Sequence, residues 1–87
     1  MSPRDKAVVD LALQLLREAV DAREPPKVDT GVRLALRVLL PHCPENWPLT
    51  GFWTGMHGSN EIGRQQTMNA SLNGIMVQLR KNGWTDK

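Results

Sequence analysis

The sequence predicts a small all-α domain of three helices, with an ordered loop rich in proline, glycine and tryptophan between the second helix and the third. Two observations favour helix over strand. Leu, Ala and Met total 21 residues, whereas Val and Ile total nine and Tyr is absent; strands favour the β-branched and aromatic types. The apolar residues also recur at helical spacing, in three stretches separated by prolines. With 87 residues, the chain has room for one domain, 1–87.

The first helix is predicted over residues 3–23. Ser2 suits the N-cap and Pro3 the first helical position, because the N–H that proline lacks would be unpaired there. Its apolar side chains cover an arc of about 200°, more than a helix with one neighbour needs. Such a helix either lies at the centre of the domain or pairs with another chain. We favour self-association, and expect a homodimer held by Val9, Leu13, Leu16 and Val20.

The second helix is predicted over residues 29–40, beginning at Asp29 or Thr30 and stopped by Pro41. The residues at core spacing are Val32, Ala35, Leu36, Leu39 and Leu40. Arg33 and Arg37 lie one turn apart on another face. They are either a solvated edge or a clamp for phosphate or carboxylate, since arginine suits bidentate contacts with these groups.

The stretch 41–58 is predicted to be a loop, with regular structure limited to one turn beginning at Pro48. It contains three prolines and three glycines, which interrupt helices and strands. It also contains Trp47, Phe52 and Trp53. These rings either order the loop by packing onto the helices or form a contact surface for a partner.

The third helix is predicted over residues 60–82, with Ser59 and Asn60 as capping candidates. Its core face consists of Met68, Leu72, Ile75, Met76 and Leu79. The end of the helix fits a Schellman motif, in which Gly83 takes the left-handed conformation and Trp84 returns to Leu79.

The opposite face of the third helix is a strip of small and amide side chains, defined here as Thr67, Ala70, Ser71, Gly74 and Gln78. Small residues let another backbone approach closely. Near this strip are residue types that read base edges, namely Arg64, Gln65, Gln66 and Asn69. The spacing of Leu72, Ile75, Leu79 and Gly83-Trp84 resembles the end of the recognition helix of winged helix-turn-helix proteins, over some twenty residues. That resemblance implies DNA contacts, which Lys81, Arg33 and Arg37 would support.

Catalysis is not expected from this sequence. It contains no Walker-type phosphate loop and no dinucleotide-binding glycine fingerprint. His42, Cys43 and His57 do not match a zinc-ligand spacing, so we expect neither metal nor cofactor. The single cysteine cannot close an intramolecular disulfide, and no apolar run approaches the 18–20 residues, roughly, that a membrane span requires. We expect a cytoplasmic protein.

These observations predict a non-enzymatic binding protein that acts stoichiometrically, as an adaptor, inhibitor or regulator. Residues 27–87 carry seven Lys/Arg against four Asp/Glu, which hints at an anionic partner. We expect a protein partner, bound through Trp47, Phe52, Trp53, Thr67, Ala70 and Gly74. The alternative is a small DNA-binding transcriptional regulator that uses helix 60–82 as its recognition helix.

Overall fold

A computed structural model describes residues 1–22, 30–58 and 60–86, and every regular element among them is helical. The α-helices are α1 (Pro3–Asp21), α2 (Thr30–Leu39), α3 (Trp47–Met56) and α4 (Glu61–Lys81), and a 3₁₀ turn over Leu40–His42 follows α2. The all-α class is therefore confirmed. The described residues contain four α-helices, however, where the sequence predicts three.

The start of α1 agrees with the prediction. The Ser2 hydroxyl accepts a hydrogen bond of 3.1 Å from the Asp5 backbone N–H, and Pro3 occupies the first turn. Helix α1 ends at Asp21; the predicted end at Arg23 and the candidate start at Asp29 lie outside the described residues. The predicted cap at Ser59 does too, but the Asn60 side chain caps α4 by accepting from the Gly63 N–H at 2.7 Å.

The predicted loop 41–58 is wrong in its central part, because residues 47–56 form helix α3. Pro48 lies in the first turn of α3, where the proline ring fits and no intrahelical donor is lost. Gly51 and Gly55 disfavour helix in an isolated peptide. In the folded chain both glycines face α4, and their lack of a side chain lets the two helices approach closely. Phe52 and Met56 are fully buried. Packing against α4 thus stabilises a segment that its local sequence marks as irregular.

The end of α4 is a Schellman motif, as the sequence predicts. Gly83 has a φ of +92°, which favours glycine because a side chain would be strained there. The Trp84 N–H donates to the Leu79 carbonyl at 3.0 Å, and the Gly83 N–H donates to the Arg80 carbonyl at 3.1 Å. These are the two hydrogen bonds that define the motif.

The core joins two helix pairs, since α1 packs on α2 and α3 packs along α4. The predicted core residues of α4 are buried, except that Met76 is half-buried. Leu40, predicted to belong to the core of the second helix, is instead exposed.

The predicted self-association residues of α1 are all buried within the single chain: Val9, Leu13, Leu16 and Val20. A contact of α1 with a second chain would therefore need other side chains.

Three contacts tie the C-terminal part of the chain to distant segments. The Trp84 indole Nε1 donates to the Asp10 carboxylate at 2.9 Å. The Gln78 side-chain amide donates to the Glu45 carbonyl and accepts from the Glu45 N–H, both at 3.2 Å. The Asn82 amide donates to the His42 carbonyl. The end of α4 thereby holds both α1 and the turn that leads from α2 into α3.

The contact between Asp10 and Trp84 predicts a pH-dependent stability. The pKa of the Asp10 carboxyl is lowered from its ordinary 3.8 by hydrogen bonds from Lys6 and from Trp84. A lowered folded-state pKa stabilises the fold above the unfolded-state pKa, and this contribution disappears as the pH falls through the folded-state value. We expect Asp10→Asn to lower the urea midpoint at pH 7 more than at pH 3. Asp21→Asn, at an exposed carboxylate, is the matched control. Equal losses for Asp10→Asn at both pH values would contradict the expectation.

Candidate functional site

Helix α3 packs against part of the small-residue strip of α4, at Thr67, Ser71 and Gly74. A methyl group added at Gly55 would lie 2.7 Å from Thr67 Cγ2, and one added at Gly51 would lie 2.7 Å from Ser71 Oγ. Small side chains here allow two helix backbones to approach closely, as the sequence predicts, but the approaching backbone is internal. Thr67 therefore lies against α3 but remains exposed, so its predicted contact with a partner stays a prediction.

Helix α3 also lies against Gly74. A methyl group added at Gly74 would lie 2.7 Å from the Trp47 ring and 3.3 Å from Pro48 Cβ, so the start of α3 occupies this part of the strip. Thr67 and Ala70 are the members of the predicted partner-binding set on α4 that are exposed.

The three aromatic residues of α3 have different environments. Phe52 is fully buried and belongs to the core, so it cannot be a contact residue in this structure. Trp47 keeps 57% of its surface exposed. Trp53 is half-buried, with its ring centroid 5.1 Å from the Arg33 guanidinium carbon and 4.7 Å from the centroid of the His57 ring. Trp47 and Trp53 are thus the aromatic residues of α3 that remain available to a partner.

Two of the predicted base-reading residues instead bind the C-terminal end of α1. Arg64 is only 6% exposed, and its guanidinium donates to the Ala22 carbonyl at 3.5 Å. The Gln65 side chain donates to the Val20 carbonyl at 3.3 Å. Helix α1 has no basic residue in its last turn, so α4 supplies donors to carbonyls that have no partner within α1. Arg64 and Gln65 are explained by the fold, whereas Gln66 and Asn69 are exposed.

The other arginines line a groove between α2 and α3 with a volume of about 300 Å³. Four residues of its wall follow one another at helical spacing along α2 and the turn after it: Arg33, Leu36, Arg37 and Leu40. Helix α3 contributes the opposite wall, formed by Leu49, Thr50 and Trp53. The 3₁₀ turn and the residues after it connect α2 to α3, and the groove lies between these two helices.

The groove combines an apolar interior with positive charge at its edge. Leu49 is buried and Leu36 is half-buried, while Arg33 and Arg37 are exposed. Among the described residues that line the groove, none is acidic. The Arg33 guanidinium lies against the Trp53 ring, an arrangement in which the quadrupole of the ring attracts the cation and orients it. Such a groove can take an apolar group and pair an attached carboxylate or phosphate with the arginines.

Among the described residues that line the groove, Thr50 is the one with a hydroxyl group, and none is a histidine, a cysteine or a carboxylate. Cys43 lies elsewhere and is buried, and its burial raises the pKa of the thiol to about 11. The thiolate, which is the nucleophilic form, is therefore suppressed.

The sequence identifies the charged part of the groove but not its apolar part. Arg33 and Arg37 are recognisable because they lie one turn apart. Leu40 is misassigned to the core, and Leu49 and Thr50 stand in a segment predicted to be irregular. The usable signal is the alternation of arginine and leucine at positions 33, 36, 37 and 40, which describes a helix face that is both charged and apolar.

Comparison with family models, with curated proteins and with solved structures finds no match to this chain. Within residues 1–22, 30–58 and 60–86, no three His, Cys, Asp or Glu side chains group together as ligands for a metal ion. No helix in the described part of the chain has both the length and the apolar character to cross a membrane.

Proposed function

We propose that the protein is a non-enzymatic binding protein that acts stoichiometrically on a protein partner, and that the α2–α3 groove is its binding site. The ligand is an acidic, amphipathic segment of the partner. An apolar side chain of that segment enters the groove, and its carboxylates pair with Arg33 and Arg37. The observation that carries this proposal is the pair of exposed arginines beside an apolar groove, with no acidic residue among the described residues of its lining.

A peptide segment suits the groove better than a nucleic acid does. The affinity of proteins for DNA depends on many cationic contacts with phosphates, and the groove offers two. Its leucines instead match aliphatic side chains, and helical segments commonly dock into apolar grooves through residues three and four positions apart. Because arginine pairs with carboxylates through a planar fork, we expect glutamate or aspartate beside the apolar anchor.

The alternative, DNA binding by α4, keeps part of its predicted contact set. Gln66, Asn69 and Lys81 are exposed, whereas Arg64 and Gln65 bond to carbonyls of α1. This alternative predicts binding to duplex DNA that weakens steeply with salt and that is lost when Lys81 and Asn69 are replaced.

The proposal is tested with a synthetic helical peptide that carries leucines flanked by glutamates, and with a matched peptide that carries lysines in place of the glutamates. Titrations are followed by NMR. We expect the acidic peptide to shift the Trp53 indole resonance and the Leu49 and Thr50 amides, and the basic peptide to leave them unchanged. Replacing both groove arginines, Arg33→Glu with Arg37→Glu, is expected to weaken binding roughly tenfold or more, because charged hydrogen bonds are lost.

Lys81→Glu is the matched control, since it reverses an exposed cation that does not line the groove. It should leave the affinity for the acidic peptide within a factor of about two, in line with the small energies of isolated surface charges. Absence of binding to the acidic peptide, or equal affinity for both peptides, would refute the groove as a site for acidic segments. Salt-sensitive binding of duplex DNA, lost on Lys81→Glu, would favour the DNA alternative instead.

A further inference from the structure

A second apolar stripe, separate from the groove, runs along the outer face of α1. Val8 is 44% exposed and Leu11 is 61% exposed, although both lie within a well-formed helix. Leu15 follows Leu11 by one turn and is half-buried against the core. Positions 8, 11 and 15 share a helix face because their separations are three, four and seven residues. The core-facing apolar residues of α1 are buried on a different face, so the outer stripe is the apolar surface of α1 that the chain leaves uncovered.

Opposite charges lie at the two ends of this stripe, at equal distances from Leu11. Arg4 precedes Leu11 by seven residues and Glu18 follows it by seven. Seven residues make almost two turns, so both side chains lie on the same face as Leu11. Both are exposed. Arg4 has no ion-pair partner among the described residues, and Glu18 accepts a single long hydrogen bond of 3.4 Å from Gln14.

This pattern is complementary to itself under two-fold rotation. We propose that two copies of the chain associate through the outer face of α1, with the helices antiparallel and Leu11 at the two-fold axis. Leu11 then meets its counterpart, and Val8 meets the region of Gln14 and Leu15 in the partner copy. Arg4 of each copy lies beside Glu18 of the other, so the interface contains two equivalent ion pairs. A symmetric interface of this kind closes on itself and limits assembly to a dimer.

The charge pattern also selects the direction of packing. Parallel helices in register would place Arg4 beside Arg4 and Glu18 beside Glu18, and like charges at an interface are unfavourable. The antiparallel arrangement converts both contacts into attractive pairs while it covers the same apolar stripe. A second copy of the chain is therefore the occupant that satisfies the apolar and the charged residues of this face together.

The test measures the mass in solution by sedimentation equilibrium over the high micromolar range. We expect the wild-type chain to approach twice the 9.7 kDa of a single copy, and Leu11→Glu to remain at the mass of one copy. Because Leu11 is exposed, this substitution should leave the helical circular dichroism unchanged. Val77→Glu is the matched control, at a side chain of α4 that is 48% exposed, and it should dimerise as the wild type does.

Charge exchange tests the register. Arg4→Glu alone, or Glu18→Arg alone, is expected to raise the dimer dissociation constant roughly tenfold, because two surface ion pairs become repulsive contacts. The combined variant should return to within a factor of about two of the wild type. Glutamate near the N-terminus of a helix and arginine near its C-terminus interact favourably with the helix dipole. Neither single substitution should therefore unfold α1, and weaker association would report on the interface. A monomeric wild type, a dimeric Leu11→Glu variant, or no recovery in the combined variant would each overturn the proposal.

Discussion

Replacing Phe52 with alanine is expected to lower the free energy of unfolding by about 3–5 kcal/mol. Phe52 is fully buried between α3 and the rest of the core, and its removal would leave a cavity that the neighbouring helices can fill only in part. The loss should appear as a lower urea midpoint, measured by circular dichroism. Because α3 contains two glycines and is only ten residues long, it depends on this packing rather than on its own propensity.

Trp47→Ala provides the comparison for Phe52→Ala. Trp47 belongs to the same helix but is largely exposed, and we expect its loss to cost less than about 1.5 kcal/mol, the upper end for one well-placed aromatic contact. If Phe52→Ala does not fold, Phe52→Leu should give a folded protein with a smaller loss. Equal losses for Phe52→Ala and Trp47→Ala would contradict the burial of Phe52.

Replacing Gly55 with leucine is expected to destabilise the fold by about 1–3 kcal/mol through overpacking. The added Cβ alone would lie 2.7 Å from Thr67 Cγ2 and 3.3 Å from the Met68 backbone nitrogen. A side chain could move away, but the backbone of α4 cannot shift without disturbing its own helix. The two helices would therefore separate, and urea denaturation would report the loss.

The control for Gly55→Leu is Gly31→Ala in α2. Apart from Gly31, its two chain neighbours and the nearby backbone of α2, no atom of the described residues lies within 4 Å of the position that a Cβ would occupy at Gly31. Alanine favours helix over glycine by up to about 1 kcal/mol. We expect Gly31→Ala to be neutral or stabilising. A stable Gly55→Leu variant would mean that α3 and α4 do not approach as closely as the structure describes.

Features fixed by neighbouring residues could be predicted from the sequence. The Ser2 cap depends on an N–H three residues away, and the Schellman motif at Gly83 depends on carbonyls within the same turn. Helix α3 could not be found this way. Its proline and glycines favour a loop locally. The helix is stabilised by contacts with residues of α4 that lie twelve or more positions further along the chain, such as Thr67 against Gly55.

In the candidate site, too, the features set by neighbouring residues could be predicted and those set by distant contacts could not. The arginine pair of the groove is visible in the sequence because its spacing is local to α2. The apolar wall opposite depends on the position of α3, which the sequence does not reveal. Arg64 shows the converse case: its residue type suggested a contact with DNA, but the free carbonyls at the end of α1 explain it. Those carbonyls are more than forty residues away in sequence, beyond the reach of a local pattern.

The contacts made at the end of α4 also bear on how the protein is synthesised. Trp84 bonds to Asp10, 74 residues earlier, and Asn82 bonds to His42, 40 residues earlier. A ribosome produces α1 and α2 long before these residues emerge from its exit tunnel. Helices α1 and α2 can pack on each other at that stage, but their contacts with the end of α4 cannot form yet. We expect the contacts that Asn82 and Trp84 make with these distant residues to form last, after residue 84 has left the tunnel.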